Sequence, residues 1–390
     1  MEHREGFPAF SLQGGPLYRA GVRLGLVRDR TDTTMLGIAL GVFLWVVLIA
    51  LALLEGLGHA TFAIATISVH VRLLVAIPLL FACETLIDPR MAAFVQGIVR
   101  SQVLPPCETS ALEGEIARID RWRDAWWPEA FFLLAVVLLQ WVTPNVNFFS
   151  QFSGATGASG AAGVSDATWT SQWYWAVCIT LFRFLLLRWL WRVLLWCFFL
   201  WRVSRLDLRL VPTHPDRAGG LGFLELVQAK LAPLLFAMSA VQSASLAQDV
   251  ASGRTRFEAV YAGVAVILVV DAVLVVGPAS IFYLQLARCW LAGMSDFGAL
   301  GERYANAFTA KWLRGNAPSQ EDLLGTPDIQ SLADLNNSVG AVRSMRFVPV
   351  SLPMLVQLGV AALLPLLPLL LFKYPVTELL VKFVERLSGL

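Results

Sequence analysis

The chain has 390 residues and a formal net charge of +2, and 57% of its residues are hydrophobic while only 15% are charged. With a mean hydropathy of +0.65, the composition excludes a water-soluble globular protein and indicates a multi-pass membrane protein. No segment has the density of lysine and arginine found in nucleic-acid-binding arms, so nucleic acid is excluded as a partner.

Apolar segments of about 20 residues, the length that crosses the hydrocarbon core, recur along the chain. Seven spans are predicted: Thr34–Leu54, Ala63–Leu86, Ala130–Phe149, Trp173–Leu200, Leu224–Ala247, Ala259–Leu286 and Leu352–Phe372. The fifth is either a span or a helix buried among the others, because one arc of it carries the polar residues Gln228, Ser239, Gln242 and Ser243. The predicted fold is an all-α, polytopic transmembrane helical bundle of about seven spans with small helical cytoplasmic insertions, and its first partner is the lipid bilayer.

Basic residues predict the orientation of this bundle. Of the 30 lysines and arginines, 19 fall on the side of the amino terminus and 5 on the other, which predicts a cytoplasmic N-terminus. The predicted organisation is a cytoplasmic tail (1–33), spans one and two (34–87), a cytoplasmic insertion (88–128), spans three to six (129–286) with an outer loop (150–171) and a cytoplasmic loop (203–223), a second insertion (287–351), and the last span with an outer amphipathic helix (352–390).

Both cytoplasmic insertions are predicted to contain helices that form a small cytoplasmic layer. In the first, Ser110 and Glu113 have the spacing of a capping box. The second is predicted to begin at Thr326 and Pro327, with coiled-coil spacing at Leu332, Leu335, Val339 and Val342. That repeat indicates either packing within the layer or dimerisation of two copies.

Charged residues at membrane depth are the first candidate functional group. The fourth span carries Arg183, Arg188 and Arg192, and a central arginine costs about 2.5–3.5 kcal/mol unless it faces a partner or water. Asp271, in the sixth span, is the predicted partner of Arg188, either as a structural ion pair or as part of a permeation path. The other candidates are Arg72, which either forms the outer mouth of an anion path or snorkels to the surface, and Lys230, at the inner end of the fifth span.

A polar cytoplasmic loop is the second candidate. Its residues His214, Asp216 and Arg217 precede three glycines, Gly219, Gly220 and Gly222. Glycines before a helix can offer backbone N–H groups to an anion, whereas the alternatives are a partner-binding loop or a tight juxtamembrane turn. One histidine and one carboxylate form neither a catalytic set nor a metal site, so no catalytic residue, metal or cofactor is predicted, and an enzyme is disfavoured.

Three segments carry a resemblance to a known group of proteins: V-R-L-L-V-A-I-P-L-L at 71–80, H-P-D-R-A-G-G-L-G-F at 214–223 and D-I-Q-S-L-A-D-L-N-N-S-V at 328–339. With these, the chain resembles a family of uncharacterised bacterial multi-pass inner-membrane proteins over most of its length. The resemblance implies a bacterial inner (plasma) membrane. It implies no activity and no site residue.

Three functions are compatible with the sequence. The leading hypothesis is a homo-oligomeric channel or transporter for an ion or a small solute, with an anion favoured by the excess of intramembrane arginines. The second is a membrane-anchored binding or scaffold protein whose cytoplasmic layer receives a protein partner. The third is an inner-membrane enzyme that acts on lipid.

Overall fold

The computed structural model describes residues 10–23, 30–62, 64–142, 168–314 and 327–373, and all regular structure in these ranges is helical. The predicted all-α fold is confirmed. The main helices are α1 (Pro16–Arg23), α2 (Arg30–Leu54), α3 (Ile67–Arg100), α4 (Thr109–Arg123), α5 (Trp127–Val142), α6 (Trp169–Val203), α7 (Phe223–Ala251), α8 (Glu258–Ser280), α9 (Tyr283–Phe308), α10 (Pro327–Arg343) and α11 (Leu352–Phe372).

Six of these helices, namely α2, α3, α6, α7, α8 and α11, are long and apolar enough to cross a membrane. The fifth predicted segment, contained in α7, is one of them. The third corresponds to α5, whose apolar part Trp127–Gln140 is shorter, and residues 143–149 of that predicted span lie outside the described residues. So do residues 150–167 of the outer loop and the predicted amphipathic helix at 374–390.

The bundle has two ends. At the basal end, which carries α1, α4 and the loop 203–223, Arg202 Nη2 pairs with Glu115 Oε1 at 2.6 Å. At the apical end, Glu55 follows α2 and accepts hydrogen bonds from the backbone N–H and the hydroxyl of Thr170 in α6, at 3.2 and 2.6 Å. The Lys373 ammonium, beside the end of α11, donates to the Tyr261 hydroxyl of α8 at 2.7 Å.

Prolines lie in or beside irregular helix segments. A π-helical turn, Val71–Ala76, precedes Pro78 in α3, and α7 is broken at Lys230 ahead of Pro233. Helix α11 ends as a 3₁₀ segment, Leu364–Phe372, which contains two further prolines. The break in α7 places Lys230 between two helical pieces instead of inside a continuous span.

Helix α3 extends well beyond the predicted span end at Leu86. It has 34 residues, which corresponds to about 50 Å at 1.5 Å per residue and exceeds a hydrocarbon core of about 30 Å. Its last turns are therefore expected to project from the membrane. The insertion predicted at 88–128 consequently begins within this helix.

Helix α4 packs on the basal end with Leu112, Ile116 and Ile119 buried. The predicted capping box is wrong. The helix begins at Thr109, and its N-cap residue Glu108 makes no side-chain capping bond, so Ser110 already lies in the first turn.

Helices α9 and α10 form a basal hairpin in which the predicted coiled-coil stripe faces α9 of the same chain. Val342 is fully buried and packs beside Gly293, while Val339 packs beside Gly301. At the tip, Asp328 accepts hydrogen bonds from Lys311 Nζ and the Trp312 indole, both at 2.9 Å. The stripe is thus used within one chain.

Candidate functional site

Five ionisable side chains meet in the basal half of the bundle. We call this group the basal charge cluster: Glu84 and Asp88 of α3, Glu129 of α5, and Arg188 and Arg192 of α6. The two α3 acids are four residues apart, as are the two α6 arginines, so each pair lies on one helix face. The acidic face of α3 and the basic face of α6 therefore point toward each other.

Two ion pairs form within the basal charge cluster. Arg192 Nη2 lies 2.5 Å from Glu84 Oε1, and these side chains are 8% and 6% exposed. Arg188 Nε lies 3.4 Å from Glu129 Oε1. Arg192 also lies over the Trp189 ring, whose indole N–H donates to the Leu80 carbonyl at 3.0 Å. Each arginine of this cluster is thus paired with a carboxylate from a neighbouring helix.

The predicted Arg188–Asp271 pair is wrong. Asp271 lies on α8 and accepts a hydrogen bond from Ser239 of α7 at 3.1 Å, whereas Arg188 pairs with Glu129. The reason is helix placement, since the arginine face of α6 meets α3 and α5 while the polar face of α7 meets Asp271. Glu84 was missed because it lies two residues before the predicted end of its span.

An N-terminal segment, Phe10–Gly15, covers the basal charge cluster although the sequence predicts only a charged tail there. The carboxylate of Asp88 accepts hydrogen bonds from the Ser11 hydroxyl, at 2.9 Å to each oxygen, and from the backbone N–H of Leu12 at 2.6 Å. The Gly14 carbonyl accepts a bond from Arg188 Nη2 at 3.1 Å. Both signs of charge in the cluster are therefore contacted by this segment.

Apolar side chains hold the N-terminal segment in place. Phe10 and Leu12 are buried, and Phe10 stacks on Phe199 with ring centroids 4.4 Å apart. Two cavities touch the cluster, of about 20 Å³ and about 10 Å³. The larger has room for about one water molecule.

The far end of the N-terminal segment is fixed at α4. The Gly15 N–H donates to Asp124 Oδ1 at 3.3 Å, and Arg123 Nη1 donates to the Ser11 carbonyl at 2.7 Å. The hydrogen bond from Arg123 lowers the pKa of Asp124 and outweighs its partial burial. Gly15 has φ of +96°, a left-handed conformation that glycine adopts without strain, so a glycine is required at this turn.

Two other predicted arginines, Arg72 of α3 and Arg183 of α6, lie toward the apical side of the cluster. Arg72 does not snorkel to the surface, because its guanidinium donates to the Tyr174 hydroxyl at 2.5 Å and to Ser245 Oγ at 3.0 Å. Arg183 is half-buried and interacts electrostatically with Arg72 and Tyr174. We call these residues the apical arginine pair. Among the described residues, no carboxylate forms an ion pair with either.

The predicted polar arc of α7 faces the interior of the bundle. Ser239 and Ser243 are buried, and Gln228 is fully buried with neither amide atom hydrogen-bonded within the described part of the chain. Lys230 is half-buried at the break in α7, where its carbonyl accepts a weak bond from Cys83 Sγ at 3.7 Å. This arrangement agrees with the interior polar face predicted for the fifth segment, but it does not bring Lys230 to the other charges.

The loop candidate, within residues 203–223, is a closed turn. Asp216 Oδ2 accepts backbone N–H bonds from Gly220 at 3.0 Å and Gly222 at 2.8 Å, and Oδ1 accepts one from Ala218 at 2.8 Å. The chain's own carboxylate occupies these N–H groups, so they are not free for the anion predicted to bind this loop. His214 Nδ1 lies 2.8 Å from Asp216 Oδ1 and completes the turn.

The environment of Asp216 favours its ionised form. Burial alone would raise its pKa, but the N–H bonds from Ala218, Gly222 and Gly220 and the contact with His214 outweigh burial and hold the pKa below its ordinary value. Glycine is favoured at two positions here, since Gly219 and Gly220 have φ of +64° and +100°. Arg217 is also left-handed, with φ of +56°.

Arg346 ties this turn to the helices. Its Nη2 donates to the Asp216 carbonyl at 3.0 Å and its Nη1 pairs with Glu225 of α7 at 3.1 Å, while its own N–H donates to the Arg217 carbonyl at 2.7 Å. Glu225 is also hydrogen-bonded by Ser351. The turn thus links α7 to the segment that joins α10 and α11.

No family model matches the chain, and neither does any curated protein or solved structure. Within the described residues, no group of three or more histidine, cysteine or acidic side chains is placed to hold a metal ion.

Proposed function

We propose that the chain is a homo-oligomeric channel or transporter for an ion or small anionic solute in a bacterial inner membrane, with its basal end in the cytoplasm. One observation carries this proposal. The basal charge cluster is covered by the N-terminal segment, which belongs to no membrane-crossing helix.

The contacts of the N-terminal segment support a gating role. Two ion pairs lie within the cluster, Arg192–Glu84 and Arg188–Glu129, and Asp88 belongs to neither. Here Asp88 and Arg188 are additionally contacted by a non-helical segment, Phe10–Gly15. Withdrawal of that segment would expose charged groups of both signs to the cytoplasm. Exposed charges at the entrance of a membrane path attract and hold ions.

The proposed orientation rests on the uneven distribution of lysine and arginine, with 19 on the basal side and 5 on the apical side. Bacterial origin rests on the resemblance alone. The proposed oligomer is supported by α8 and α11. The most apolar stretches of these helices are only 17% and 22% buried within one chain, which leaves wide faces for lipid or a second copy. Native mass spectrometry showing only monomers would remove the oligomer from the proposal.

Flux measurement tests the proposed function. Three proteins are reconstituted in liposomes: the full-length protein, a variant lacking residues 2–15, and a matched control lacking residues 2–9. The liposomes are loaded with radiolabelled phosphate, chloride or rubidium. We expect the 2–15 deletion to raise efflux of an anion about ten-fold or more, because it removes the cover. The 2–9 deletion retains Phe10–Gly15 and should behave as full length. Efflux that is equal in all samples and does not depend on the protein would contradict transport.

A second candidate, a membrane-anchored binding protein, is favoured by the basal hairpin of α9 and α10. This hairpin packs mainly on itself, and Leu291, Leu300 and Ile329 are exposed on it. Replacing these three residues by serine should abolish binding of a cytoplasmic partner while anion flux stays unchanged. Loss of flux with these substitutions would instead assign the hairpin to the transport machinery.

A further inference from the structure

An open groove of about 620 Å³ lies at the basal end, between the loop 203–223 and helix α9. We call it the basal groove. The loop contacts α9 at two points, since the Gln285 amide donates a hydrogen bond to the Ser204 carbonyl and a Cβ on Gly293 would lie only 2.6 Å from the Pro212 side chain. The loop therefore runs along the helix. The volume beside it falls in the range of about 300–1,000 Å³ that ligand sites occupy.

Helix α9 forms one wall of the basal groove and the loop forms the other. The α9 residues that line the groove recur three and four positions apart, as on one side of a helix, and the small residues Cys289 and Ala292 lie near the middle of this wall. Apolar side chains of the loop face them: Leu206, Leu208, Leu210 and Pro212. Apolar walls that carry a few polar or charged groups are typical of ligand sites.

Three charged side chains line the basal groove and form no ion pair within the described part of the chain: Asp207 of the loop, and Arg288 and Asp296 of α9. Gln285 Oε1, in the same lining, also has no hydrogen-bond partner among the described residues. The groove therefore offers one cation, two anions and an uncharged acceptor to a bound molecule. This lining favours a ligand with both signs of charge, because a purely anionic ligand would meet two carboxylates.

Helix α9 begins close to the basal end of a helix that is long and apolar enough to cross a membrane. Only Ile281 and Phe282 separate it from α8, which ends at Ser280. The first residues of α9, Tyr283 and Leu284, are 46% and 65% exposed. An exposed tyrosine beside an exposed leucine is expected at a bilayer interface, where the ring lies among headgroups and the leucine contacts acyl chains. A ligand of the basal groove can therefore keep its tail in the bilayer.

We propose that the basal groove binds the headgroup of an aminophospholipid, which carries a phosphate and a primary ammonium. The Arg288 guanidinium presents paired N–H donors to the phosphate, while Asp207 and Asp296 accept hydrogen bonds from the ammonium. A quaternary ammonium has no N–H to donate and is typically held by several aromatic rings, whereas Phe297 is the single aromatic side chain among the described residues of the groove. The inference goes beyond transport, because lipid binding in this groove requires no path through the bundle.

Binding is measured on purified, delipidated full-length protein with radiolabelled short-chain phosphatidylethanolamine. Unlabelled phosphatidylcholine and phosphatidylglycerol of the same chain length should each compete about ten-fold less well than unlabelled phosphatidylethanolamine. Arg288→Gln and Asp207→Asn should each weaken binding about ten-fold, because each removes one charge-assisted contact. The matched controls are Arg303→Gln and Glu302→Gln, which remove exposed charges of α9 outside the groove and should bind as wild type. Equal competition by the three lipids, or equal binding by wild type and both groove variants, would overturn the proposal.

A soluble molecule with the same charged groups separates the two sources of this chemistry. Free phosphoethanolamine should compete more weakly than the lipid, because it lacks the chains that contact the start of α9. If it competes as well as the lipid, the ligand is a soluble zwitterion and the lipid form is overturned. Leu284→Ser should weaken lipid binding, whereas Leu313→Ser, which changes an exposed leucine beyond the end of α9, should not. Equal lipid binding by these two variants would contradict the role of the acyl chains.

Thiol protection gives a readout that needs no variant. Cys289 lines the basal groove and is half-buried, whereas Cys107 is exposed between α3 and α4. Phosphatidylethanolamine should slow maleimide labelling of Cys289 several-fold and leave Cys107 unchanged, while phosphatidylcholine should slow neither. Labelling is followed by peptide mass spectrometry at mildly alkaline pH, because burial raises the pKa of the Cys289 thiol. Equal labelling of Cys289 with and without phosphatidylethanolamine would overturn the site. Protection of Cys289 in protein that shows no anion flux would support the site and contradict only transport.

Discussion

Arg192 Nη2 and Glu84 Oε1 lie 2.5 Å apart, and both side chains are less than one-tenth exposed. The two residues are 108 positions apart in sequence, so this contact fixes how α3 and α6 meet. Because the pair is buried, either charge alone would be left in a low-dielectric surrounding. This relationship organises the basal charge cluster.

Breaking this pair is expected to destabilise the protein. Glu84→Gln or Arg192→Gln should each lower the free energy of unfolding in mixed micelles by about 3–5 kcal/mol, because a buried charge loses its partner. The double variant should lose less than the sum of the two, as neither charge remains. Glu113→Gln, an exposed acid of α4, is the control. Additive losses in the double variant would mean that the two side chains do not interact.

Gly15 tests how the N-terminal segment is seated. Gly15→Ala forces a side chain into a left-handed backbone, which costs about 1–2 kcal/mol, and its Cβ would also approach Glu129 Oε1 to 2.8 Å. We expect faster hydrogen exchange at residues 10–15. Gly114→Ala, in an exposed turn of α4 with open space around it, should leave that exchange unchanged. Unaltered exchange in Gly15→Ala would show that the turn is not an anchor.

Asp216 gives the protein a pH dependence of defined sign. Its pKa is lower in the folded chain than in the unfolded one, so its carboxylate stabilises the fold above about pH 4, and this stabilisation is lost as pH falls through the folded pKa. Asp216→Asn should cost about 1–3 kcal/mol at pH 7, because backbone N–H groups lose acceptors, and the difference from wild type should shrink below about pH 4.

The matched control for Asp216 is Asp207→Asn, which changes an exposed acid of the same loop. Thermal unfolding of the three proteins between about pH 3 and pH 7 measures the effect. A constant difference between wild type and Asp216→Asn over this range would contradict the assigned ionisation.

Thiol labelling tests the orientation. Cys107 is exposed at the basal end, between α3 and α4, while Cys83 and Cys178 are buried. A membrane-impermeant maleimide should label Cys107 in inverted vesicles but not in intact cells. Ser252→Cys, at the exposed apical end of α7, should show the opposite pattern in a Cys107→Ser background. Labelling of Cys107 from outside intact cells would reverse the proposed topology.

Sequence reasoning predicted the membrane helices well because their signal is local. The apolar runs of α2, α8 and α11 exceed the span length by themselves, and the interior polar face of α7 follows from spacing along one helix. The position of three arginines inside the fourth predicted span also identifies them as candidate functional residues: Arg183, Arg188 and Arg192. Each of these features depends on residues within a single segment.

Partner choice was not predictable in the same way. The predicted Arg188–Asp271 pair rests only on the similar depth of the two residues in their predicted spans. Depth in the membrane does not say which helices are neighbours. Glu129 pairs with Arg188 because it lies on α5, which contacts α6. Two acids of α3, Glu84 and Asp88, are four residues apart, and so are two arginines of α6, Arg188 and Arg192. This equal spacing is the sequence signal that indicates the basal charge cluster. The N-terminal segment has no periodicity, so only long-range packing of Phe10 and Leu12 reveals its place.

The most direct test of a gated path is peptide block of the truncated protein. Protein lacking residues 2–15 is reconstituted in liposomes, and anion efflux is measured with a synthetic peptide of residues 2–15 added on the basal side. The account predicts that this peptide restores the low flux of full-length protein, and that a peptide carrying Phe10→Ser and Leu12→Ser does not, because those side chains fill the core. Equal flux with both peptides would contradict the claim that Phe10–Gly15 closes the basal charge cluster.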